Sequence, residues 1–563
     1  MSDIRARFFQ GATRAFKSSF KKLGRQLGRI RDFWLIGALL VGFLLGLQGL
    51  NWGHYDCLNL DKMAFKNLFA KDRAPFQPAS YVKPPFYTYL NHFVARIPAM
   101  TISSMAFWKP SHERYEIFLR VRLWLARVLN LLLFAGCTII IFVVARQLAG
   151  DHAARLASWL WATSAGWVPY QIFLTTDLAV VFFMLGTFYF ATKIVSKPSM
   201  QASILGGLFA GLAGATKYNG LAVAAALPVA HLLASHAGNR FLNALKRPSA
   251  WICGIMVPVG FVIGNPFCIF DRTQFWADFS YNYNVTPIYN GVTSGTGYGE
   301  FGASFLEIFG WPGTVLLCLG VFIGTWYLAF KKVDRVIWLM AFAVLGLYAW
   351  KIGSFPRMET RFVLPAAPFL LILAAPGFQW SGKCRFFTSV LFSLVISYNI
   401  LCAVQIGGLF RLDPRNRTPD FVKQHFSGGE TIEWSKSVPK IEALPKKAKI
   451  HEIKTGLERA ALFEKMFEKD GDMRQAAKER ETQVPLTWFS KEERVVRSPE
   501  FVFWCSIDVE GITEKYYQEL FDKNSGYQVV YDASSPILPW WAYPQKTEFL
   551  KNRMTIWQKS SMN

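Results

Sequence analysis

Residues 125–147 read LARVLNLLLFAGCTIIIFVVARQ, an apolar run that is long enough to cross the hydrocarbon core of a bilayer as a single helix. Runs of similar length recur, and we predict eleven membrane-spanning segments near residues 33–52, 125–147, 154–171, 177–194, 202–216, 219–235, 249–269, 311–330, 335–351, 361–378 and 386–405. The fifth and sixth are short and meet around Lys217, so a re-entrant pair is an alternative there. The sequence therefore predicts an all-α polytopic membrane protein.

The overall composition agrees with this prediction. The chain has 563 residues, with 62 Lys and Arg against 38 Asp and Glu and a net charge of +24, yet 52% of its residues are hydrophobic, including 50 Phe and 20 Trp. A soluble nucleic-acid-binding protein can be equally basic but does not carry so many apolar residues, and a disordered basic tail lacks them altogether. We therefore predict a bilayer protein with no nucleic-acid partner.

The distribution of basic residues predicts the orientation in the membrane. Residues 1–32 contain nine Lys and Arg and neither a signal-peptide core nor a cleavage site, so we expect a retained cytoplasmic tail. With that tail inside, alternate loops are short and basic, as cytoplasmic loops tend to be, at residues 146–155, 193–197, 240–247, 331–335 and 383–385. An odd number of spans then places the C-terminal residues on the outer side of the membrane.

A third domain is expected after the tail and the membrane domain, which covers residues 33–405. Residues 406–563 carry 25 basic and 23 acidic side chains, which is typical of a water-soluble domain. A helix-like run at 456–480 precedes strand-like runs at 501–505 and 527–531. This order predicts a small extracytoplasmic α/β domain.

Two long segments complete the predicted outer face. Residues 53–120 contain Pro, aromatic residues and amphipathic stretches, which suit helices that lie on the membrane surface. Residues 270–310 are rich in Tyr, Asn and Gly, and a polar loop of this length is usually a functional lid or a mobile connector. Eleven of the thirteen carboxylates between residues 33 and 405 fall on this side. Because a carboxylate near a bilayer is a functional candidate, we expect the chemistry to lie on the outer face.

Three outer carboxylates are candidates for catalysis. Asp56 and Asp61 directly follow the first span, where a partly desolvated carboxylate can act as a general base on a hydroxyl presented from the water. A helix N-cap or an ion pair with Lys62 is an equally weighted alternative for them. Asp177 begins the fourth span, directly after two threonines, and there an N-cap is a strong alternative.

Four outer cations are candidates for binding a phosphate. Lys217 lies between two spans and can hold a phosphate as a point charge, or it can snorkel to the interface. Lys83 precedes two prolines, which set a rigid turn. Arg357 and Arg361 stand at the start of the span at 361–378, where two guanidinium groups can fork onto a phosphodiester.

Taken in chain order, these motifs resemble the GT-C glycosyltransferases that use polyprenyl-phosphate sugars, in the branch that contains protein O-mannosyltransferases and the aminoarabinose transferase of lipid A. The matching features are Asp56 with Leu60-Asp61-Lys62 after the first span, Lys83 to Tyr89, Thr176-Asp177, Thr216-Lys217 and Arg361 to Pro368. The sequence departs from the pattern at Lys62, which stands where relatives carry an acidic residue, and at Val82, which stands where some relatives carry Glu. Those departures leave the need for a divalent cation open.

This resemblance implies a function. It implies a membrane enzyme, expected in a bacterial inner membrane, that transfers a sugar from a polyprenyl phosphate to a hydroxyl of a glycan, lipid or protein, with inversion. Asp61 is the first candidate for the base and Asp56 the second, while Asp177 orients the acceptor or tunes the base. The leaving phosphate is expected to be bound by Lys83, Lys217, Arg361 and Arg357. The loop that closes over the donor is expected to contribute Tyr281, Tyr289, Tyr298 and Glu300.

The main alternative from another functional class is a transporter or flippase for lipid-linked sugars. Transporters place charged groups near the bilayer midplane within broken helices, whereas these carboxylates gather at the outer boundary. The sequence also lacks Walker A, HExxH and GxSxG motifs, which argues against ATP-driven, zinc-protease and hydrolase chemistry. An enzyme is therefore the favoured interpretation.

Overall fold

The computed structural model describes most of the membrane domain and parts of the C-terminal region. The described residues are 32–53, 68, 73–234, 246–285, 295–330, 335–379, 383–416, 418–425, 431–435, 449–453, 499–505, 519–521, 525, 527–534 and 553–560. Asp56, Asp61, Tyr289 and the predicted helix at 456–480 lie outside them.

The first part of the chain is helical. Its helices are α1 (Phe33–Leu47), α2 (Phe86–Asn91), α3 (Ile97–Met105), α4 (Ser111–Thr163), α5 (Val168–Ile172), α6 (Asp177–Ser196), α7 (Met200–Thr216) and α8 (Ala226–Leu233). The side chain of Asp32 caps α1 by accepting from two backbone N–H groups of its first turn. Short helices α2 and α3 fall within residues 53–120, where the sequence predicts surface helices.

The second part of the membrane domain is also helical. It contains α9 (Pro248–Gly264), α10 (Phe267–Phe270), α11 (Arg272–Val285), α12 (Tyr298–Phe330), α13 (Arg335–Gly353), α14 (Thr360–Val363), α15 (Ala367–Ala374) and α16 (Lys383–Arg411). Within the described residues, six helices are long and apolar enough to cross a membrane, and four shorter apolar helices accompany them. The prediction of an all-α membrane protein is confirmed.

Two glycines break the longest helices. Gly150 in α4 has φ 78° and Gly310 in α12 has φ 71°, a left-handed conformation that glycine adopts without steric cost. The break at Gly150 separates the second and third predicted spans. The break at Gly310 marks the start of the predicted span at 311–330, so the first turns of α12 belong to the segment 270–310, which the sequence predicts on the outer side.

The described part of the segment 270–310, predicted as a polar outer loop, is mostly helical. It forms α11 and the beginning of α12, with residues 286–294 lying outside the described part. Phe275 and Phe279 are four residues apart and share one face of α11. The Phe275 ring packs against Tyr81 and Phe261, so aromatic burial stabilises a helix that the Tyr-Asn-rich composition did not reveal.

The described C-terminal residues form a mixed five-stranded sheet packed on helix α17 (Thr418–His425). Its strands are β1 (Thr431–Ser435), β2 (Lys449–Ile453), β3 (Phe501–Cys505), β4 (Tyr527–Ser534) and β5 (Arg553–Lys559), in the order β2-β1-β3-β5-β4. Strand β1 runs parallel to β2 and β3, and β5 runs antiparallel to β3 and β4. Val422, Ile432, Phe503 and Ile556 form its buried core. Both strands predicted from the sequence are present, as expected for an α/β domain.

Candidate active site

The predicted site residues Asp177 and Lys217 form an ion pair. Asp177 is the first residue of α6, and Lys217 directly follows the last residue of α7. Lys217 Nζ donates to Asp177 Oδ1 at 2.7 Å, and only 4% of the Asp177 side chain is exposed. The carboxylate also lies at the positive end of the α6 dipole. Asp177 therefore holds the Lys217 ammonium in place. This contact differs from both alternatives, an N-cap role for Asp177 and a freely snorkelling Lys217.

The two predicted arginines share one carboxylate. Glu359 Oε1 accepts from Arg357 Nη2, and its Oε2 lies 2.5 Å from Arg361 Nε. Glu359 has an extended backbone, with φ −126° and ψ 143°, directly before the first residue of α14. Glu359 thus holds two guanidinium groups beside each other at the start of α14.

The phenyl ring of Phe362 brings these charges together. Lys217 Nζ lies 5.6 Å from the ring centroid, Arg357 Cζ 5.7 Å and Arg361 Cζ 5.4 Å. These distances are within the range of cation–π attraction. Three of the four cations predicted from the sequence therefore meet around one side chain, although Lys217 is 140 residues from the nearer arginine.

A chain of hydrogen bonds fixes the position of this ring. Asn219 Nδ2 donates to the Tyr348 hydroxyl at 2.6 Å, and that hydroxyl donates to the Phe362 carbonyl at 2.7 Å. Tyr348 is 1% exposed, and a buried hydroxyl with both partners satisfied stabilises one arrangement of its neighbours. The segment that carries Lys217 is in this way attached to the segment that carries the arginines.

The fourth cation, Lys83, follows a backbone segment attached to the same region. The Tyr81 carbonyl accepts from the hydroxyl of Tyr218 at 2.6 Å, and the Val82 carbonyl accepts from Asn282 Nδ2 at 2.5 Å. Tyr218 is the neighbour of Lys217 in the sequence. Lys83 is therefore the next residue after a backbone that is held beside the Lys217 segment. The two prolines that follow it restrict the direction of the chain.

Two further carboxylates hold the Lys83 segment in place. Asp278 Oδ2 accepts from the Tyr81 backbone N–H at 2.5 Å, and Asp271 Oδ2 accepts from the Tyr81 hydroxyl at 3.1 Å. Burial raises the pKa of Tyr81, and the neighbouring Asp271 raises it further. Both aspartates are among the carboxylates predicted on the outer face, but the sequence indicates no role for them, because their partner is nearly 200 residues away.

Tyr170 shows how closely the charges are grouped. Its phenol lies near enough to four charged side chains to interact with each of them electrostatically, namely Asp177, Arg361, Glu359 and Glu307. The Thr360 hydroxyl donates to Glu307 Oε2, which joins the beginning of α14 to α12. Neither Tyr170 nor Glu307 carried a sequence signal beyond its type.

The remaining predicted residues that the structure describes lie on α11 and α12. Tyr281 lies half-buried on α11, and Glu300 is exposed in the first turn of α12. The Tyr298 hydroxyl donates to the Trp350 carbonyl at 3.1 Å, which attaches α12 to α13. Their proposed contact with a donor stays a prediction, as do the roles of Asp56 and Asp61. Among the described residues, no group of three or more His, Cys, Asp or Glu could hold a metal ion.

Comparison with known proteins shows a similar fold. Residues 114–264 match the family model described as dolichyl-phosphate-mannose-protein mannosyltransferase. ArnT from Cupriavidus metallidurans bound to undecaprenyl phosphate aligns over 93% of this chain and 97% of its own, with 12% identity and a TM-score of 0.52. The apo state of the same protein aligns over the same shares, with 13% identity and a TM-score of 0.51. No curated protein sequence matches the chain significantly.

Proposed function

We propose that this protein, a membrane glycosyltransferase of the GT-C fold, transfers a sugar from a polyprenyl-phosphate donor to a hydroxyl acceptor on the outer side of the membrane. The observation that carries the proposal is the convergence of Lys217, Arg357 and Arg361 on Phe362, beside the buried Asp177. When the sugar is transferred, the polyprenyl phosphate departs with the electron pair of the broken bond, and its oxygen needs the positive charge that this site provides. The ArnT structure with undecaprenyl phosphate supports the choice of a lipid-linked donor.

The donor phosphate would be bound by the three gathered cations together with Lys83. Arg357 and Arg361 are suited to two phosphate oxygens at once because a guanidinium presents several donors in one plane. Lys217 contributes a point charge held by its ion pair. Preorganised donors of this kind stabilise the charge that develops as the glycosidic bond breaks, without reorganising at that moment.

The acceptor hydroxyl would be activated by a carboxylate just after the first span. Its oxygen attacks the anomeric carbon while the bond from that carbon to the phosphate oxygen breaks. The hydroxyl proton passes to Asp61, or to Asp56 as the second candidate, and the electron pair of the broken bond leaves on the polyprenyl phosphate. A single displacement predicts inversion at the anomeric carbon. Asp177 acts on this step by holding Lys217 rather than by receiving the proton.

The membrane domain explains how such a donor would be presented. Apolar helices keep the isoprenoid in the bilayer, and the charged cluster lies where α6 begins and α7 ends. We place the tail 1–32 in the cytoplasm and the domain 406–563 outside, in a bacterial inner membrane. The acceptor is a hydroxyl of a glycan, a lipid or a protein.

The decisive experiment is transfer by the purified full-length protein in lipid nanodiscs. A radiolabelled sugar on undecaprenyl phosphate is supplied with extracts of candidate acceptors, and both the labelled product and free undecaprenyl phosphate are measured. We expect both to appear together. Movement of intact donor across a proteoliposome membrane without release of undecaprenyl phosphate would instead identify a flippase.

A further inference from the structure

The hydroxyl of Tyr170 is a polar group that the described part of the site leaves unused. Tyr170 lies on α5 and is half-buried. Within the described residues its hydroxyl has no hydrogen-bond partner, and it is not one of the unpaired side-chain atoms that are shielded from solvent. It is therefore accessible to a ligand. A phenol carries its proton at neutral pH, so this hydroxyl can donate a hydrogen bond.

The phenol lies beside two ion pairs of the site. It interacts electrostatically with Asp177 and Glu359, which are the acidic members of the two pairs, and with Arg361. Lys217 is the basic partner of Asp177, and Arg361 is a basic partner of Glu359. Asp177 and Arg361 also interact with each other. The hydroxyl is therefore close to the charges that the proposed function assigns to the donor phosphate.

The carboxylates near the phenol already have other donors. Asp177 Oδ1 accepts from its lysine partner at 2.7 Å, and each oxygen of Glu359 lies against a guanidinium group. Glu307 Oε2 accepts from the Thr360 hydroxyl. None of these carboxylates is hydrogen-bonded to the phenol among the described residues, so the proton of Tyr170 is available to an anion that enters the site.

The ring of Tyr170 is held by aromatic packing. Its centroid lies 5.9 Å from that of Phe173, at an interplanar angle of 83°, and 6.3 Å from that of Trp167, at 72°. These are edge-to-face contacts of the kind that aromatic pairs prefer. Trp167 is fully buried and Phe173 is nearly so. The hydroxyl is therefore presented by a ring whose position is set before any ligand binds.

The backbone of the same segment is tied to the segment that follows Lys83. Asn130 Nδ2 donates to the Phe173 carbonyl at 2.8 Å, and Asn130 Oδ1 accepts from the Tyr87 hydroxyl at 2.8 Å. Asn130 is fully buried, so these bonds form without competition from water. Tyr170 and the chain after Lys83 thus share one buried hydrogen-bonding partner.

We propose that the Tyr170 hydroxyl donates a hydrogen bond to a phosphate oxygen of the lipid-linked donor, beside Lys217 and Arg361, and is a further binding residue of the site. The inference rests on the proposed function for the identity of the ligand. A hydroxyl that donates to an anionic oxygen forms a short, charge-assisted bond, and a donor fixed in advance binds without reorganising.

The test is Tyr170→Phe in the full-length protein in lipid nanodiscs. This substitution removes one oxygen and keeps the ring that packs against Trp167 and Phe173. Tyr189→Phe is the matched control. Tyr189 lies on α6, its ring is 5.0 Å from Lys193 Nζ, and its hydroxyl likewise has no hydrogen-bond partner among the described residues. Both variants therefore lose a hydroxyl that makes no hydrogen bond within the described part of the chain.

Three measurements decide the inference. We expect the affinity of Tyr170→Phe for undecaprenyl phosphate, titrated without a sugar, to fall about tenfold or more, and KM for the lipid-linked donor to rise by a similar factor. The melting temperature of the protein without ligand should not change, because no hydrogen bond within the described protein is lost. Tyr189→Phe should change none of the three quantities.

Unchanged affinity of Tyr170→Phe for undecaprenyl phosphate overturns the inference. If KM for the donor rises while that affinity is unchanged, the hydroxyl contacts the sugar instead of the phosphate. A lower melting temperature with unchanged affinity would show a structural role. Failure of the proposed function is separate, because then the unsubstituted protein transfers no sugar.

Discussion

Lys217 Nζ lies 2.7 Å from Asp177 Oδ1, although the two residues are forty positions apart in the sequence and the carboxylate is almost fully buried. A carboxylate removed from water is costly unless a positive charge compensates it. The pair therefore holds the Lys217 ammonium where α6 begins and α7 ends, close to Arg361 and Phe362.

Loss of one partner of this pair should destabilise the protein more than loss of both. Asp177→Asn leaves Lys217 without its ion pair, and Lys217→Met leaves a buried carboxylate uncompensated, which typically destabilises a protein by about 3 to 5 kcal/mol. In the double variant, neither charge is stranded. We expect thermal unfolding to show a coupling energy of about 1 to 3 kcal/mol between the two sites. Additive changes would show that the pair does not act as a unit.

Removal of the Lys217 charge should weaken binding of the donor more than binding of the acceptor. We expect Lys217→Ala to raise KM for a polyprenyl-phosphate sugar at least about tenfold and to leave KM for the acceptor nearly unchanged, because only the donor carries the phosphate. Lys193→Ala is the control, since Lys193 lies in the last turn of the same helix that Asp177 begins. An unchanged donor KM in Lys217→Ala would show that this lysine does not bind the phosphate.

Glu359 should affect the rate of transfer through the two arginines that it holds. In Glu359→Gln the guanidinium groups of Arg357 and Arg361 lose their shared carboxylate, so we expect kcat to fall about tenfold. Binding of undecaprenyl phosphate without a sugar should not weaken, because removal of a negative charge favours an anion. Binding is measured by titration in nanodiscs. Glu113→Gln, which breaks the exposed ion pair with Lys109, should have no effect on either quantity. A weaker affinity for the lipid phosphate would contradict this role for Glu359.

The sequence predicted the charges of this site better than the contacts that arrange them. Lys217, Arg357 and Arg361 could be predicted because cations are conspicuous at the ends of apolar spans. Tyr348 and Phe362 could not, because an aromatic side chain in an apolar run gives no local sign that its hydroxyl or ring organises a distant residue. Glu359 was predicted as an outer carboxylate, but nothing in the sequence shows that it lies between two arginines.

The fold shows the same division. Periodic apolar content predicted the membrane helices, and strand-like runs predicted β3 and β4. Helix α11 was missed because its Tyr-rich and Asn-rich sequence is typical of loops, and only the packing of Phe275 against Tyr81 and Phe261 shows why it is helical. Tertiary contacts of this kind override local preference.

The assignment of the base can be tested by two single substitutions. Asp61→Asn removes the basic oxygen while keeping size and polarity, so we expect sugar transfer to fall at least about a hundredfold with little change in expression or thermal stability. Asp56→Asn should reduce transfer less. Full activity in Asp61→Asn with loss in Asp56→Asn would move the assignment to Asp56. Binding of undecaprenyl phosphate, measured in parallel, should be unaffected by both.

A substitution at Gly166 tests whether its close backbone contact with Glu307 and Ile308 supports the site. A Cβ atom at this position would lie 2.6 Å from the Cα of Ile308 and 2.8 Å from the carbonyl oxygen of Glu307, and backbone atoms cannot move aside as a flexible side chain can. We therefore expect Gly166→Ala to displace the segment around Glu307, whose carboxylate accepts from Thr360, and to destabilise the protein by about 1 to 3 kcal/mol. Transfer should fall as α14 shifts. Gly302 lies on α12, the helix that carries Glu307, and a Cβ atom there would have no neighbour within 4 Å. Gly302→Ala should therefore be neutral or stabilise the protein by up to about 1 kcal/mol. Equal melting temperatures and equal activity for the two variants would show that the contact between Gly166 and the start of α12 does not support the site.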